Sequence, residues 1–165
     1  MSAAAPDPPV PDPSTWTLPR LRIDADGQWL HEGAEITHEG ILANLRDNLR
    51  VDEQGYHLQI GPVRVPVEVD DAPYAVVRVE PAGDALAVVL SDGTREPLDL
   101  AGLVLGPGEI PYCRVKAGRF PARFSRAAAW TLLQQAEEGP DAAAPVLRLP
   151  GGRRHAMPRA PRPAR

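Results

Sequence analysis

Four side chains able to ligate a metal or move a proton crowd one short stretch, His31, Glu35, His38 and Glu39, and His57 follows further on. Two imidazoles spaced four apart on a helix would share a face and could hold a metal, but His38 has no histidine four residues on. Asp24-Ala-Asp-Gly27 opens like a calcium loop, and Glu35 is its twelfth position. The glycine, however, falls fourth rather than sixth, and Trp29 holds the sixth place. Neither a metal nor a cofactor is expected from these patterns.

Nucleophilic chemistry needs a base beside the nucleophile and a group that orients the base. No Gly-x-Ser-x-Gly elbow occurs, Ser91 precedes a turn, and Ser125 stands where a helix cap is needed. Cys113, between Tyr112 and Arg114, reads as a small apolar residue of a strand. A hydrolase is therefore the rival reading, and it requires at least two of His31, His57 and Cys113 to meet in one pocket. The glycines from Gly102 to Gly108 lack the Lys-Ser/Thr of a phosphate loop and read as a connector.

Binding chemistry is better represented. Glu68, Asp70 and Asp71 precede Pro73-Tyr74, and carboxylates at a strand end beside an aromatic make a site rim. Asp at a turn also accepts backbone amides, which is the structural alternative. Arg114, Lys116, Arg119, Arg123 and Arg126 concentrate positive charge, and Arg114 and Lys116 share a strand face. They form either an anion-binding strip or intramolecular partners for an acidic body.

The elements that must position these groups alternate in period. Leu21 to Asp24 and Gln28 to His31 flank Asp26-Gly27, a hairpin signal. Thr37 is placed to cap a helix over about residues 38 to 50, with Ile41, Leu42, Leu45 and Leu49 at helical spacing. Tyr56 to Ile60 reads as a strand, and Val63, Val65, Val67 and Val69 alternate with polar residues in the next. Pro66 in that strand marks an edge or a position turned away from the pairing. Tyr74 to Glu80 and Ala85 to Ser91 continue the sheet, and residues 94–109 read as a connector. Tyr112 to Lys116 and Arg119 to Phe124 form a second hairpin. Ser125 caps a second helix carrying Ala129, Leu132, Leu133 and Ala136, ended by Gly139-Pro140. Hairpin, hydroxyl cap and helix thus occur twice.

Composition narrows the class. The 165 residues suit a single domain, and the hydrophobic fraction of 43% with 5% aromatics implies a core of Val, Leu, Ile and Ala. One cysteine permits no internal disulfide and suits a reducing cytoplasm. No apolar run approaches membrane-spanning length. Residues 1–19 hold six prolines and read as a disordered leader, and residues 140–165 read as a disordered Pro/Arg-rich tail. That tail has six arginines against one aspartate, which leaves the rest of the chain at about nine net negative charges. Such a body argues against sequence-specific nucleic-acid binding. The basic tail itself folds back on the acidic body, extends into solvent, or reaches for nucleic acid or anionic lipid.

The run from His31 through Glu68-Val-Asp-Asp-Ala-Pro-Tyr74 to Val77 resembles the bacterial family catalogued as domain of unknown function 1285. The later segment from Pro111 to Ala136 is similar to that family's C-terminal strand, turn and helix. Together they span about residues 27 to 138. Thr37-His38 and Gly61-Pro62 stand where the family pattern has a basic residue and Thr-Pro. The resemblance implies a mixed α/β fold of repeated motifs and a part in signal transduction, with no catalytic residues to carry over.

The expectation is one α+β domain over residues 20–139, mostly antiparallel, built from two hairpin-helix motifs at about 20–80 and 81–139. Its expected function is that of a cytoplasmic, non-catalytic ligand-binding or regulatory module, with a small anionic ligand or a protein segment held between the motifs. Trp29, Tyr56, Tyr74 and Arg114 line that crevice, and Glu68, Asp70 and Asp71 form its rim. A third reading is an interaction scaffold, in which the Pro66 strand adds a partner strand or a second copy in a homo-oligomer.

Overall fold

Strands β1 (Leu21–Ile23) and β2 (Trp29–His31) form the first hairpin, and β3 (Ala34–Glu35) adds outside β2. The computed structural model describes residues 18–140, 144–161 and 163, so most of the proline-rich leader lies outside the described residues. Helix α1 (Glu39–Asn48) begins at His38, whose Nδ1 accepts from the Ile41 amide at 3.2 Å. The cap is therefore His38 and not Thr37, one residue later than the side-chain preference indicated. Leu49, at helical spacing in the sequence, instead opens β4 (Leu49–Asp52), where its side chain is buried.

A meander of β4, β5 (Gly55–Ile60) and β6 (Val63–Val69) completes a six-stranded sheet in the order β3-β2-β1-β6-β5-β4. β6 joins β1 in parallel, with Leu21 opposite Val67 and Ile23 opposite Val69. The long excursion through α1 between them supplies the crossover that a parallel pairing needs. Pro66 is thus on an interior strand, not an edge. β1 covers only Val67 to Val69, so the ladder on that side begins one residue past the proline, which has no N–H to donate.

The second sheet holds β7 (Tyr74–Ala82), β8 (Ala85–Leu90), β9 (Arg95–Pro97), β10 (Val104–Leu105), β11 (Pro111–Val115) and β12 (Phe120–Phe124). Its order is β10-β11-β12-β7-β8-β9, and β12 pairs with β7 in parallel. Both sheets are therefore mixed, each with one parallel pairing among antiparallel ones. Counted from its own first strand and read from the β9 edge, the second sheet has the same order as the first, 3-2-1-6-5-4, with strands one and six parallel in each. The strand topology therefore occurs twice. The helices do not repeat in place: one follows the third strand of the first sheet, and the other follows the sixth strand of the second.

Helix α2 (Arg126–Leu133) is capped by Ser125, whose Oγ accepts from the Ala128 amide at 3.1 Å. It stops three residues before Ala136, because Ala136–Glu137 forms β13, which pairs with β14 (Val146–Arg148). β15 (Arg154–Ala156) completes a three-stranded sheet. The tail expected to be disordered is therefore folded over much of its length. Leu147, Leu149 and Met157 are buried in the same apolar cluster as Ile23, Trp29, Val76, Phe124 and Leu132. The tail then pairs with β10: the Leu105 amide donates to the Pro158 carbonyl, and the Ala160 amide to the Leu105 carbonyl, each at 2.9 Å.

The two large sheets meet at the first hairpin's turn. Gly27 has φ of 79°, and a Cβ there would lie 2.7 Å from Ser91 Oγ and 3.0 Å from the Ala75 amide nitrogen. Ser91 bonds Ala75 through both backbone and side chain. Only glycine accommodates both the left-handed backbone and this approach.

Candidate functional site

The turn from β4 into β5 and the link from β6 to β7 frame an open cleft of about 590 Å³, lined by Gln54, Tyr56, Pro66, Glu68, Asp70 and Asp71. Asp52 shapes the first of these, because its Oδ1 accepts from the Gln54 amide at 2.8 Å. The strand period shapes the second. Val65 and Val67 turn inward to the core, so Pro66 and Glu68 face outward along the cleft wall.

The three carboxylates have different surroundings. Asp70 takes a bidentate pair from Arg22, with both contacts at 2.7 Å, and these hydrogen bonds hold its carboxyl below the ordinary range. Asp71 is nearly buried. Its Oδ2 accepts from the Tyr112 hydroxyl at 2.6 Å and from Arg123 Nη1 at 3.0 Å, which ties the β6–β7 link to the second sheet. Glu68 is exposed, and no hydrogen bond or ion pair engages its carboxylate among the described residues. Asp52, at the cleft's outer turn, is held down to about 2 by the 2.5 Å hydrogen bond from Arg64.

Of the residues singled out from the sequence, Tyr56, Glu68, Asp70 and Asp71 line this one cleft, and the other three do not. Trp29 is 1% exposed, Tyr74 4% and Tyr56 8%, so all three rings pack in the core and only Tyr56 also borders the cleft. Burial, aided by Asp92, pushes the Tyr74 hydroxyl up to about 12. Phe120 lies against both tyrosines, with ring centroids 6.5 Å from Tyr56 and 5.6 Å from Tyr74. Arg114 stays at its own hairpin, donating to the Gly118 carbonyl at 3.0 Å. The crevice with an arginine anchor is thus replaced by a cleft whose rim is acidic.

Apart from Arg126, the basic strip serves internal partners. Lys116 Nζ bonds Asp92 at 2.6 Å and Thr94 at 2.9 Å, and lies 5.3 Å from the centre of the Tyr74 ring. Burial opposes the Asp92 carboxylate, but the hydrogen bonds it accepts from Lys116 and from the Thr94 hydroxyl and amide outweigh it and hold its pKa below the usual value. Arg119 donates to the Lys116 carbonyl, and Arg123 binds Asp71.

His31, His57 and Cys113 occupy separate places. His31 borders an apolar groove with Ile36, Ile41, Leu45 and Ile60. His57 is buried on β5, its Nδ1 lying 3.4 Å from the Gly55 carbonyl oxygen. Cys113 lies in the second sheet opposite Ala122, and burial, with Glu96 and Asp99 adding, pushes its thiol up to about 12. Little thiolate exists there at neutral pH. Among the described residues no group of three His, Cys, Asp or Glu could hold a metal ion, and no helix is long and apolar enough to cross a membrane.

Gln54 and Pro163 also line the cleft and were not singled out in the sequence. Gln54 sits in a polar turn, and Pro163 reaches the site only because the tail folds back.

No protein-family model matches the chain, and no curated protein matches it. Two solved structures do. A DUF1285 family protein from Silicibacter pomeroyi DSS-3 is 24% identical, with a TM-score of 0.67 over 96% of this chain and 91% of that one. A DUF1285 family protein from Shewanella baltica OS155 is also 24% identical, with a TM-score of 0.58 over 70% of this chain and 91% of that one. The chain therefore has the fold of the DUF1285 family proteins, the family its ordered motifs resemble.

Proposed function

We propose that the protein is a non-catalytic binding module of bacterial signal transduction, acting in the cytoplasm, and that its ligand sits in the cleft beside Glu68. The observation that carries this reading is the exposed Glu68 carboxylate in a cleft of about 590 Å³, flanked by Asp70 and Asp71. That volume is in the range of small-molecule sites. Asp70 and Asp71 are paired by hydrogen bonds with Arg22 and Arg123, whereas Glu68 meets Arg22 only through space, so Glu68 supplies the carboxylate left for a ligand. The ligand is accordingly a cation, an amine or guanidinium, with Tyr56 and Pro66 as its apolar contacts. This replaces the small anion that the sequence led us to expect. The dispersal of His31, His57 and Cys113 and the raised thiol pKa count against the hydrolase reading.

A thermal-shift series with spermidine and agmatine, against glutarate at matched ionic strength, tests the proposal. Both amines raise the melting temperature of the native protein by mass action, and Glu68→Gln abolishes the rise. Equal shifts in the Glu68→Gln protein, or a shift with glutarate alone, would refute it.

A further inference from the structure

On the far side of the Asp71–Arg123 pair lies a second groove, of about 420 Å³, between α2 and the turn Pro107–Glu109. Its floor is apolar, formed by Ile110, Phe124, Ala129 and Leu133, and Trp130 stands at its wall. Trp130 is 68% exposed, more than any other large hydrophobic side chain described. Arg126 precedes it by four residues and so shares its helix face. Arg126 is exposed, and no hydrogen bond or ion pair engages it among the described residues. Arg123 completes the positive side, and its charge is offset by Asp71. The facing acid, Glu109, is taken up by Arg159 through contacts of 2.8 and 3.1 Å. The groove therefore combines an indole face, an apolar floor and one uncompensated guanidinium.

We propose that this groove is a binding site for a planar anion, an aromatic ring bearing a carboxylate, sulfonate or phosphate. The ring packs on Trp130 over the Phe124 and Leu133 floor, and the anionic group meets Arg126. Indole and guanidinium groups both stack on flat π systems, and the guanidinium fork matches an oxyanion bidentately. Charge complementarity selects this occupant. An amine would meet Arg126 as a like charge, and a purely aliphatic ligand would leave the guanidinium unused. The site is independent of the cleft beside Glu68, and neither needs the other to be occupied.

The probe is 8-anilinonaphthalene-1-sulfonate, a planar aromatic anion whose emission rises on binding, compared with N-phenyl-1-naphthylamine, its neutral counterpart. Titrations use the whole protein, Trp130→Ala, Arg126→Gln and Ile41→Asp, the last placed in the separate apolar groove beside His31. Both substituted groove residues are exposed, and circular dichroism with a melting curve checks that each variant is folded. Saturable sulfonate binding is expected, weakened at least tenfold by Trp130→Ala and by Arg126→Gln and unchanged by Ile41→Asp. The neutral probe is expected to lose affinity with Trp130→Ala but not with Arg126→Gln. Absence of saturable binding, loss only in Ile41→Asp, or equal loss of both probes in Arg126→Gln would overturn the assignment.

Discussion

The cleft beside Glu68 and the groove beside Trp130 have opposite charge and share a boundary. Asp71 lines the first, Arg123 lines the second, and 3.0 Å separates their charged atoms. On the cleft side the group without a hydrogen-bonded partner among the described residues is the Glu68 carboxylate, and on the groove side it is the guanidinium of Arg126. The difference arises because the same internal pairs neutralise most charges on each side and leave one behind. Arg22 offsets Asp70 in the cleft, and Arg159 offsets Glu109 at the groove. A charge count along the sequence cannot separate residues left over for a ligand from residues already consumed. The tail touches both regions, since Arg159 braces Glu109 and Pro163 lines the cleft.

The largest expected effect comes from undocking that tail. Leu147 is fully buried, so Leu147→Ala destabilises by about 2–5 kcal/mol in a denaturant titration. A value under about 0.5 kcal/mol, typical of surface sites, would mean that the tail does not belong to the core. Next is Asp71→Ala, which removes the carboxylate that pairs with the Arg123 guanidinium and accepts from the Tyr112 hydroxyl. It costs about 2–3 kcal/mol, below the full buried-pair value because Arg123 is partly exposed. In a double-mutant cycle with Arg123→Met the two losses are less than additive. Additive losses would show that the shared boundary carries no coupling. Tyr112→Phe removes one charge-assisted hydrogen bond to the same carboxylate and costs about 1–2 kcal/mol, read from the denaturation midpoint.

The smallest effect concerns pH. The Arg64 hydrogen bond lowers Asp52 from an ordinary 3.8 to about 2, so the native state holds the ionised form. The stabilisation is complete above about pH 4 and is lost as pH falls toward 2. Denaturation midpoints between pH 5 and pH 2 should fall less steeply in Asp52→Asn than in the native protein. An identical slope would show that this exposed pair contributes nothing, as many do.

Local signals were legible in the sequence and long-range ones were not. Asp26-Gly27 and Ala117-Gly118 marked the two hairpins, and the valines of β6 marked its buried face. The His38 cap was missed because Thr37, the better capping type, stands beside it. Leu49 and Ala136 kept helical spacing yet joined strands, since pairing with β5 and with the tail outweighed the propensity to continue a helix. The tail was read from its prolines and arginines. Val146-Leu-Arg-Leu149 before Gly151-Gly152 is nevertheless a strand and turn, and Leu147 and Leu149 are its buried face. At the site, the acidic segment was found by composition. Trp29 and Tyr74 were assigned to a ligand because aromatic type alone does not distinguish a core ring from a lining one. Arg126, named only within a basic strip, differs from its neighbours because they found partners, and that is a property of three dimensions.

An amide NMR titration of the whole protein, with spermidine and with anilinonaphthalene sulfonate added separately, tests the two-site account most directly. Spermidine should shift signals of Gly55, Tyr56 and residues 68–71, and the sulfonate those of residues 108–110 and 126–133. Overlapping sets of shifted signals, or none at saturating probe, would contradict the existence of two oppositely charged sites on one fold.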